Sequence, residues 1–116
     1  MKYDLTETGL NTVFKQYQLE AMRLLWENHE SFSTREVWNH VNEKLEPCMK
    51  TISRASIINF LDAMENEKVL EYTETTGKGG HRRLYYSNID EDGFRKELLS
   101  RLIDSANKNL LPINLN

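Results

Sequence analysis

The sequence predicts a mainly α-helical domain with one small β-hairpin. Four stretches repeat apolar residues at helical spacing, whereas two short stretches, 70–75 and 83–87, alternate apolar and polar residues. The Gly-rich segment TGKGGHRR, at 76–83, separates the two alternating stretches, as expected for a β-hairpin. The predicted order of elements is therefore helix, helix, helix, hairpin, helix.

The first two helices are predicted from broad apolar faces. Residues 15–29, KQYQLEAMRLLWENH, form an amphipathic helix. A second helix is predicted to begin at a Ser33 or Thr34 cap and to end before Pro47, because the residue that precedes a proline avoids the α region. The two tryptophans, Trp26 and Trp38, fall at helical spacing and are interpreted as core residues rather than ligand-stacking groups.

The third helix is predicted over 53–68, with Ser53 as its cap, and the fourth over about 91–109. Acidic residues at 90–92 suit the positive end of the dipole of the last helix, and Pro112 closes it. Three helices with a short hairpin that carries a basic tip describe a winged helix-turn-helix. The predicted organisation is an N-terminal extension (1–14), a winged-helix domain (15–88) and a C-terminal helix and tail (89–116).

Composition limits the possible functions of the 116-residue chain. Charged residues make up 28% and hydrophobic residues 39%, as in ordinary globular proteins, and no apolar run is long enough to predict a membrane span or a signal peptide. A single cysteine, Cys48, excludes an internal disulfide and fits the reducing cytoplasm. With three scattered histidines, a zinc site has no adequate ligand set, so no metal or cofactor is expected. Cys48 is expected to be a partly buried, unreactive residue.

The net charge of −3 argues mildly against nucleic acid, but the charges are unevenly distributed. Residues 50–58 carry Lys50 and Arg54 and no acid, and residues 77–88 carry three cations and no acid. The rest of the chain is acidic. Because salt screens distant charges within about 8–10 Å, a polyanion responds to such local clusters rather than to the total charge.

The glycine-rich segment raises the question of which phosphate it would bind. A nucleotide-binding glycine loop is followed by a helix, whose N-terminus supplies amide donors. Here the segment is followed by a predicted strand, and Gly77, Gly79 and Gly80 match no nucleotide-binding motif. A nucleotide-binding enzyme is therefore disfavoured, and a solubilising hairpin loop is the simpler alternative.

The second basic window favours double-stranded DNA as the partner. In a winged helix the third helix enters the major groove, and the wing lies beside it on the neighbouring backbone. Arg54 is expected to contact guanine and Asn59 adenine, whereas the hydroxyl groups contact phosphate or cap the helix. The expected DNA-binding residues are Lys50, Thr51, Ser53, Arg54, Ser56, Asn59, Lys78, His81, Arg82 and Arg83. The acidic segments are expected to face elsewhere, and His81 is open between a DNA contact and an exposed side chain.

The segment from Tyr17 to Tyr86 resembles the winged-helix regulators of the penicillinase-repressor group and, more loosely, the multiple-antibiotic-resistance regulators. The resemblance is carried by QLEAMRLLWENH, STREVWNHVNEKL, TISRASIINFLDAMENEKVLEY and KGGHRRLYYSNIDEDGF. It implies a homodimer that binds a palindromic operator and blocks transcription. The chain departs from that group in lacking a long C-terminal region and a C-terminal cysteine motif.

Members of that group dimerise through C-terminal helices. The apolar face of the last helix has little left to pack on in so small a domain, which independently favours a second chain. The expected interface residues are Phe94, Leu98, Leu99, Leu102, Ile103 and Ala106.

The sequence thus predicts a cytoplasmic, dimeric, winged-helix DNA-binding repressor without catalytic activity. The main alternative is a winged helix that contacts another protein in a transcription or replication assembly.

Overall fold

A computed structural model describes residues 1–77 and 80–109 and confirms the predicted fold class. The helices are α1 (Gln16–Glu27), α2 (Thr34–Leu45), α3 (Arg54–Asn66) and α4 (Glu91–Asn109). The strands are β1 (Phe32–Ser33), β2 (Glu71–Gly77) and β3 (Gly80–Tyr86), which form one antiparallel sheet in the order β1-β3-β2. This arrangement is a winged helix followed by an additional C-terminal helix. None of the described helices is both long and apolar enough to cross a membrane.

Serines cap both α2 and α3: of Ser33 and Thr34, which the sequence left open, the structure selects Ser33, and it confirms Ser53. The Ser33 hydroxyl accepts a hydrogen bond from the Glu36 amide at 3.2 Å, and the Glu36 carboxylate accepts one from the Ser33 amide at 2.9 Å. This reciprocal pair is a capping box, which satisfies two amide donors at the start of α2. At α3, Ser53 Oγ accepts from the Ser56 amide at 3.1 Å. A cap of this kind stabilises the folded protein by about 0.5–2 kcal/mol. Because each cap bonds to an amide three residues away, the start of both helices is encoded by the local sequence.

The strands differ from the prediction in two ways. The hairpin ladder extends to the Gly77–Gly80 pair, beyond the alternating apolar stretches, because backbone pairing continues once the register is set. Gly80 has φ +92°, which only glycine adopts readily, and this confirms a turn role for that glycine. The sequence also missed β1, whose two residues pair with Tyr85 and Leu84 and are too few to show any periodicity.

A single buried cluster joins the N-terminal extension, all four helices and the sheet. Phe14 makes an edge contact with Phe60 of α3, with ring centroids 5.9 Å apart. Phe14 also contacts Trp26 of α1 and Phe94 of α4, at 6.2 and 5.4 Å. The extension therefore packs over the first helix, and Trp26 is a core residue as predicted.

Two expectations about individual residues are wrong. Phe94, expected at a dimer interface, is buried in its own chain, since Phe14 and Trp26 contact it. Cys48, expected to be partly buried, is exposed, because a short 3-10 turn over Glu46–Cys48 carries it away from the core.

Candidate nucleic-acid interface

The turn that leads into α3 is attached to α2 by side-chain hydrogen bonds. Trp38 Nε1 donates to the Ile52 carbonyl at 2.8 Å, and the Ile52 amide donates to Asn42 Oδ1 at 2.9 Å. Satisfying both backbone groups of Ile52 in this way fixes where α3 starts relative to α2. The half-buried Trp38 is thus a structural residue, as its helical spacing predicted.

The predicted site residues before and at the start of α3 are mostly exposed. Lys50, Thr51, Ser53 and Arg54 all reach solvent. The Ser53 hydroxyl is already engaged by the cap and by the Ser56 hydroxyl, 2.9 Å away. These contacts support the cap role for Ser53. Arg54, the first residue of α3, is then the cation at the N-terminus of this helix.

Arg54 faces the wing across a groove of about 450 Å³. We call this surface the basic groove; the charged and imidazole side chains that line it are Arg35, Arg54, Asp62, His81, Arg82 and Arg83. Four arginines and one aspartate give these lining residues a net charge of +3, with His81 neutral, in a chain of net charge −3. The structure thus brings Arg54 of the first basic window to the same surface as Arg82 and Arg83 of the second, whereas Lys50 is not among the described residues that line the groove. Lys78 lies outside the described residues.

The groove contains two charged residues that the sequence reading did not assign to the site. Arg35 is the second residue of α2, where the helix dipole disfavours a cation. This unfavourable position is the feature of the sequence that could have identified Arg35 as a site residue. Asp62 comes from an acidic segment that was expected to face elsewhere, and that expectation is wrong for this residue. Its place follows from helical spacing, because Arg54, Ile58 and Asp62 recur every four residues along one face of α3.

Ser56 and Asn59, which were grouped with Arg54 in the sequence, lie on a different flank of α3. They line a second, larger groove of about 1090 Å³ between α3, the start of α1 and the N-terminal extension. The structure therefore separates the predicted reading residues into two sets. Asn59 is exposed, whereas Ser56 is half-buried.

Alternation along β3 separates the wing cations by face. His81, Arg83 and Tyr85 share one face of the ribbon, opposite Thr76, Glu74 and Tyr72 of β2. Arg82 belongs to the other face, opposite Thr75, although it also lines the basic groove. His81 is exposed on the face that lies toward α3, and it lines the basic groove.

Asp62 joins α3 to the wing. The Tyr85 hydroxyl donates to Asp62 Oδ1 at 2.6 Å, and Arg83 Nη1 donates to the same oxygen at 3.2 Å. The Arg83 guanidinium also lies 4.3 Å from the centroid of the Tyr72 ring, a cation–π contact. Burial, followed by the hydrogen bond to Asp62, raises the pKa of Tyr85 above its ordinary value of 10.0.

These contacts differ in strength. Arg83 and Asp62 are each more than 40% exposed at the side chain, and solvent screens ion pairs of that kind so that they add little to stability. The Tyr85 ring is 2% exposed, and a hydrogen bond to a charged group is worth about 1.5–3 kcal/mol. The tyrosine is therefore the stronger link between α3 and β3.

The described residues of α4 show a different surface. Leu98 packs partly against the core, whereas Leu99, Leu102 and Ile103 are 59%, 39% and 58% exposed. Ala106 is half-buried. Arg101 attaches the helix to the end of α3 by donating to the Glu67 carbonyl at 3.1 Å. Three exposed apolar side chains at a spacing of one to four residues form an unpartnered patch along α4.

Within the described part of the chain, no group of three or more His, Cys, Asp or Glu residues could hold a metal ion. The side chains of the basic groove instead offer guanidinium donors at a helix start and beside a β-ribbon. Such donors bind phosphate oxygens and guanine edges.

No protein-family model and no curated protein sequence matches the chain. Among solved structures, it is similar to a proposed transcriptional regulator from Thermoplasma acidophilum, with 16% identity and a TM-score of 0.51. That similarity covers 82% of this chain and 91% of the other. A PadR-like transcription factor from Bacteroides fragilis is similar at 17% identity and a TM-score of 0.49, over 80% of this chain and 84% of the other. The name of the first structure does not refer to the penicillinase-repressor or multiple-antibiotic-resistance groups, and at 16% identity that similarity supports the fold alone.

Proposed function

We propose that the protein is a DNA-binding transcriptional regulator of the cytoplasm. One observation carries the proposal: the basic groove gathers four arginines of α2, α3 and β3 on one surface of an otherwise acidic chain. Polyanion binding depends on such local positive potential, whereas general solubility does not require it. The solved structure with the higher TM-score carries the name of a proposed transcriptional regulator, which favours a binding protein over an enzyme.

In this proposal α3 enters the major groove. Arg54 forms a bidentate contact with guanine, and Asn59 reads an adenine from the adjacent flank. Arg35 and the wing hold the sugar-phosphate backbone on the side of the basic groove. Lys50, Thr51, Ser53, Ser56, Lys78 and His81 complete the proposed contact set.

The proposal includes a homodimer formed through α4. The described part of the chain leaves the apolar patch formed by Leu99, Leu102 and Ile103 exposed to solvent. Covering it with the same patch of a second copy would remove apolar surface from water on both chains. A dimer of this kind would bind a palindromic operator and repress by occupying it. The finer grouping with the penicillinase repressors stays a prediction from sequence resemblance.

The experiment is a binding selection on random duplex DNA, followed by affinity measurements across a range of salt concentrations. We expect a palindromic site with half-sites about one helical turn apart and an affinity that falls steeply with salt. An asymmetric consensus would contradict the dimer. Binding that does not respond to salt, or no duplex binding at all, would contradict the proposed function.

A second candidate function is contact with another protein. Met49, in the turn before α3, is 95% exposed, and Ile58, within the basic groove, is 37% exposed. Exposed apolar side chains beside the reading helix are typical of protein interfaces. The same selection distinguishes the two functions, because a protein-contact module would show no sequence-specific, salt-dependent duplex binding.

A further inference from the structure

The position of Asp62 needs a physical explanation. It is the one carboxylate among the described side chains that line the basic groove, beside four arginines. A negative charge on a surface that approaches phosphate weakens binding, because like charges repel at short range. The presence of Asp62 therefore indicates that this residue makes a favourable contribution that outweighs the repulsion.

The contacts of Asp62 show what that role is. One carboxylate oxygen accepts from Tyr85 and from Arg83, so a single side chain of α3 holds two side chains of β3. Tyr85 is anchored in the core and pairs with Phe32 of β1 and Tyr72 of β2. We call Asp62, Tyr85 and Arg83, with the Tyr72 ring, the Asp62 brace.

Arg83 is held on several sides within the brace. The carboxylate of Asp62 lies at 3.2 Å, the Tyr72 ring lies at 4.3 Å, and Glu74 is its cross-strand partner. Arg82, its neighbour in sequence, belongs to the opposite face of the ribbon, and its side chain has no ion pair within the described residues. Two adjacent arginines therefore differ in their contacts: Arg83 is held by a carboxylate and a ring, whereas Arg82 has no ion pair within the described residues.

A brace matters here because the wing has few other attachments. Its outer residues, from Thr76 to Arg83 where described, are exposed, and an isolated two-stranded hairpin is marginally stable in water. The angle between the wing and α3 decides whether both elements reach their DNA contacts together.

We propose that Asp62 is a positioning residue that sets the angle between α3 and the wing, and that Arg83 serves this brace while Arg82 contacts phosphate. This inference rests on the proposed function and refines it, because it removes Arg83 from the set of backbone contacts. The inference also predicts that Asp62 increases the preference of the protein for its operator over other duplexes. Asp62 would restrict the position of the wing, and its charge would repel DNA that α3 does not read.

The first test uses protein without DNA. Hydrogen exchange at the described amides of β2 and β3 is compared between the wild type, Tyr85→Phe and Tyr86→Phe. Tyr86→Phe is the matched control, because it removes a hydroxyl from the opposite face of the same strand, away from α3. We expect faster exchange at 73–77 and 80–83 in Tyr85→Phe and little change at these amides in Tyr86→Phe. Unchanged exchange in Tyr85→Phe would overturn the brace.

The second test uses the selected operator and an unrelated duplex across a salt series. Tyr85→Phe, which leaves the net charge unaltered, should lower operator affinity by about tenfold, the lower end of the range for a hydrogen bond to a charged group, with the salt slope unchanged. Arg82→Ala should reduce the slope by about 0.9, and Arg83→Ala should leave it unchanged. Asp62→Ala should steepen the slope, because it frees Arg83, and should bring the operator and the unrelated duplex closer in affinity.

The outcomes separate the brace from the proposed function. If Arg83→Ala reduces the salt slope as much as Arg82→Ala, Arg83 contacts the backbone and the inference is wrong. If Asp62→Ala improves binding to both duplexes equally, Asp62 is only a repulsive charge, which also overturns it. If the wild type binds no duplex, the proposed function fails, and the hydrogen exchange of Tyr85→Phe alone decides whether the brace exists.

Discussion

The basic groove and the outer half of α4 are both exposed, but they expose different chemistry. In the groove, the cations lie among hydrogen bonds that hold α2, α3 and β3 together, as at Ile52 and Asp62. Along α4, Leu99, Leu102 and Ile103 are exposed and apolar. The groove is held by hydrogen bonds between its own elements, and the groups that it exposes to a partner are charged. The outer half of α4 offers apolar area that the described part of the chain leaves uncovered. The difference fits the two parts of the proposed function, a polyanion site in the basic groove and a dimer contact along α4.

The largest expected effect concerns α4. Leu102→Glu places an unpaired charge in the proposed dimer interface, which costs several kcal/mol unless the charge is paired. We expect the dimer dissociation constant to rise by a factor on the order of 100 or more, with a parallel loss of operator binding. Sedimentation equilibrium measures the first effect, and a gel-shift titration measures the second.

Ser100→Glu is the matched control for this change, because Ser100 is exposed on the polar side of α4. A Leu102→Glu protein that remains as dimeric as the Ser100→Glu protein would show that α4 is not the association surface.

The next effect concerns base reading in the groove. Arg54→Ala should cost about 1–3 kcal/mol in operator affinity and should relax sequence preference at one base pair. Arg95→Ala removes an exposed arginine of α4 that lies outside the groove, and it should leave sequence preference unchanged. A repeated selection with each variant gives the comparison, and an unaltered consensus for Arg54→Ala would remove this residue from the reading set.

A smaller effect is expected at the residue that the structure added to the site. Arg35→Ala should weaken binding to all duplexes and lower the salt slope by about 0.9, because one phosphate contact is lost. Lys44, in the last turn of the same helix, lies outside the groove, so Lys44→Ala should keep the wild-type slope. Equal slopes for the two variants would mean that Arg35 lines the groove without contacting phosphate.

The smallest effect concerns stability at alkaline pH. The pKa of Tyr85 is raised by burial and by the hydrogen bond to Asp62, so the neutral phenol favours the folded state. This contribution is complete below pH of about 10 and is lost as the pH rises through the folded-state pKa. Urea unfolding between pH 8 and 11 should show a steeper loss of stability in the wild type than in Tyr85→Phe. Identical pH profiles would indicate that the Tyr85 hydroxyl is not held in the folded protein.

Much of the fold could be predicted because its signals are local. The serine caps, the apolar spacing of four helices and the glycines of the hairpin each act within a few residues. β1 could not be predicted, since two residues carry no period and its existence depends on pairing with Tyr85 and Leu84. Arg54 and Arg82 were found as members of acid-free windows. Arg35 and Asp62 were missed as site residues because their windows contain charges of mixed sign.

By itself, the sequence determined the order of the four helices and the hairpin, the cap at Ser53 and the two clusters of basic charge, because spacing and composition encode these over short distances. Only the tertiary structure decided which charges meet. It brought Arg35 into the groove with Arg54, placed Asn59 on another flank, and buried Phe94 while leaving Ile103 exposed. The physical reason is that helix packing and strand register determine which side chains become neighbours across long sequence separations.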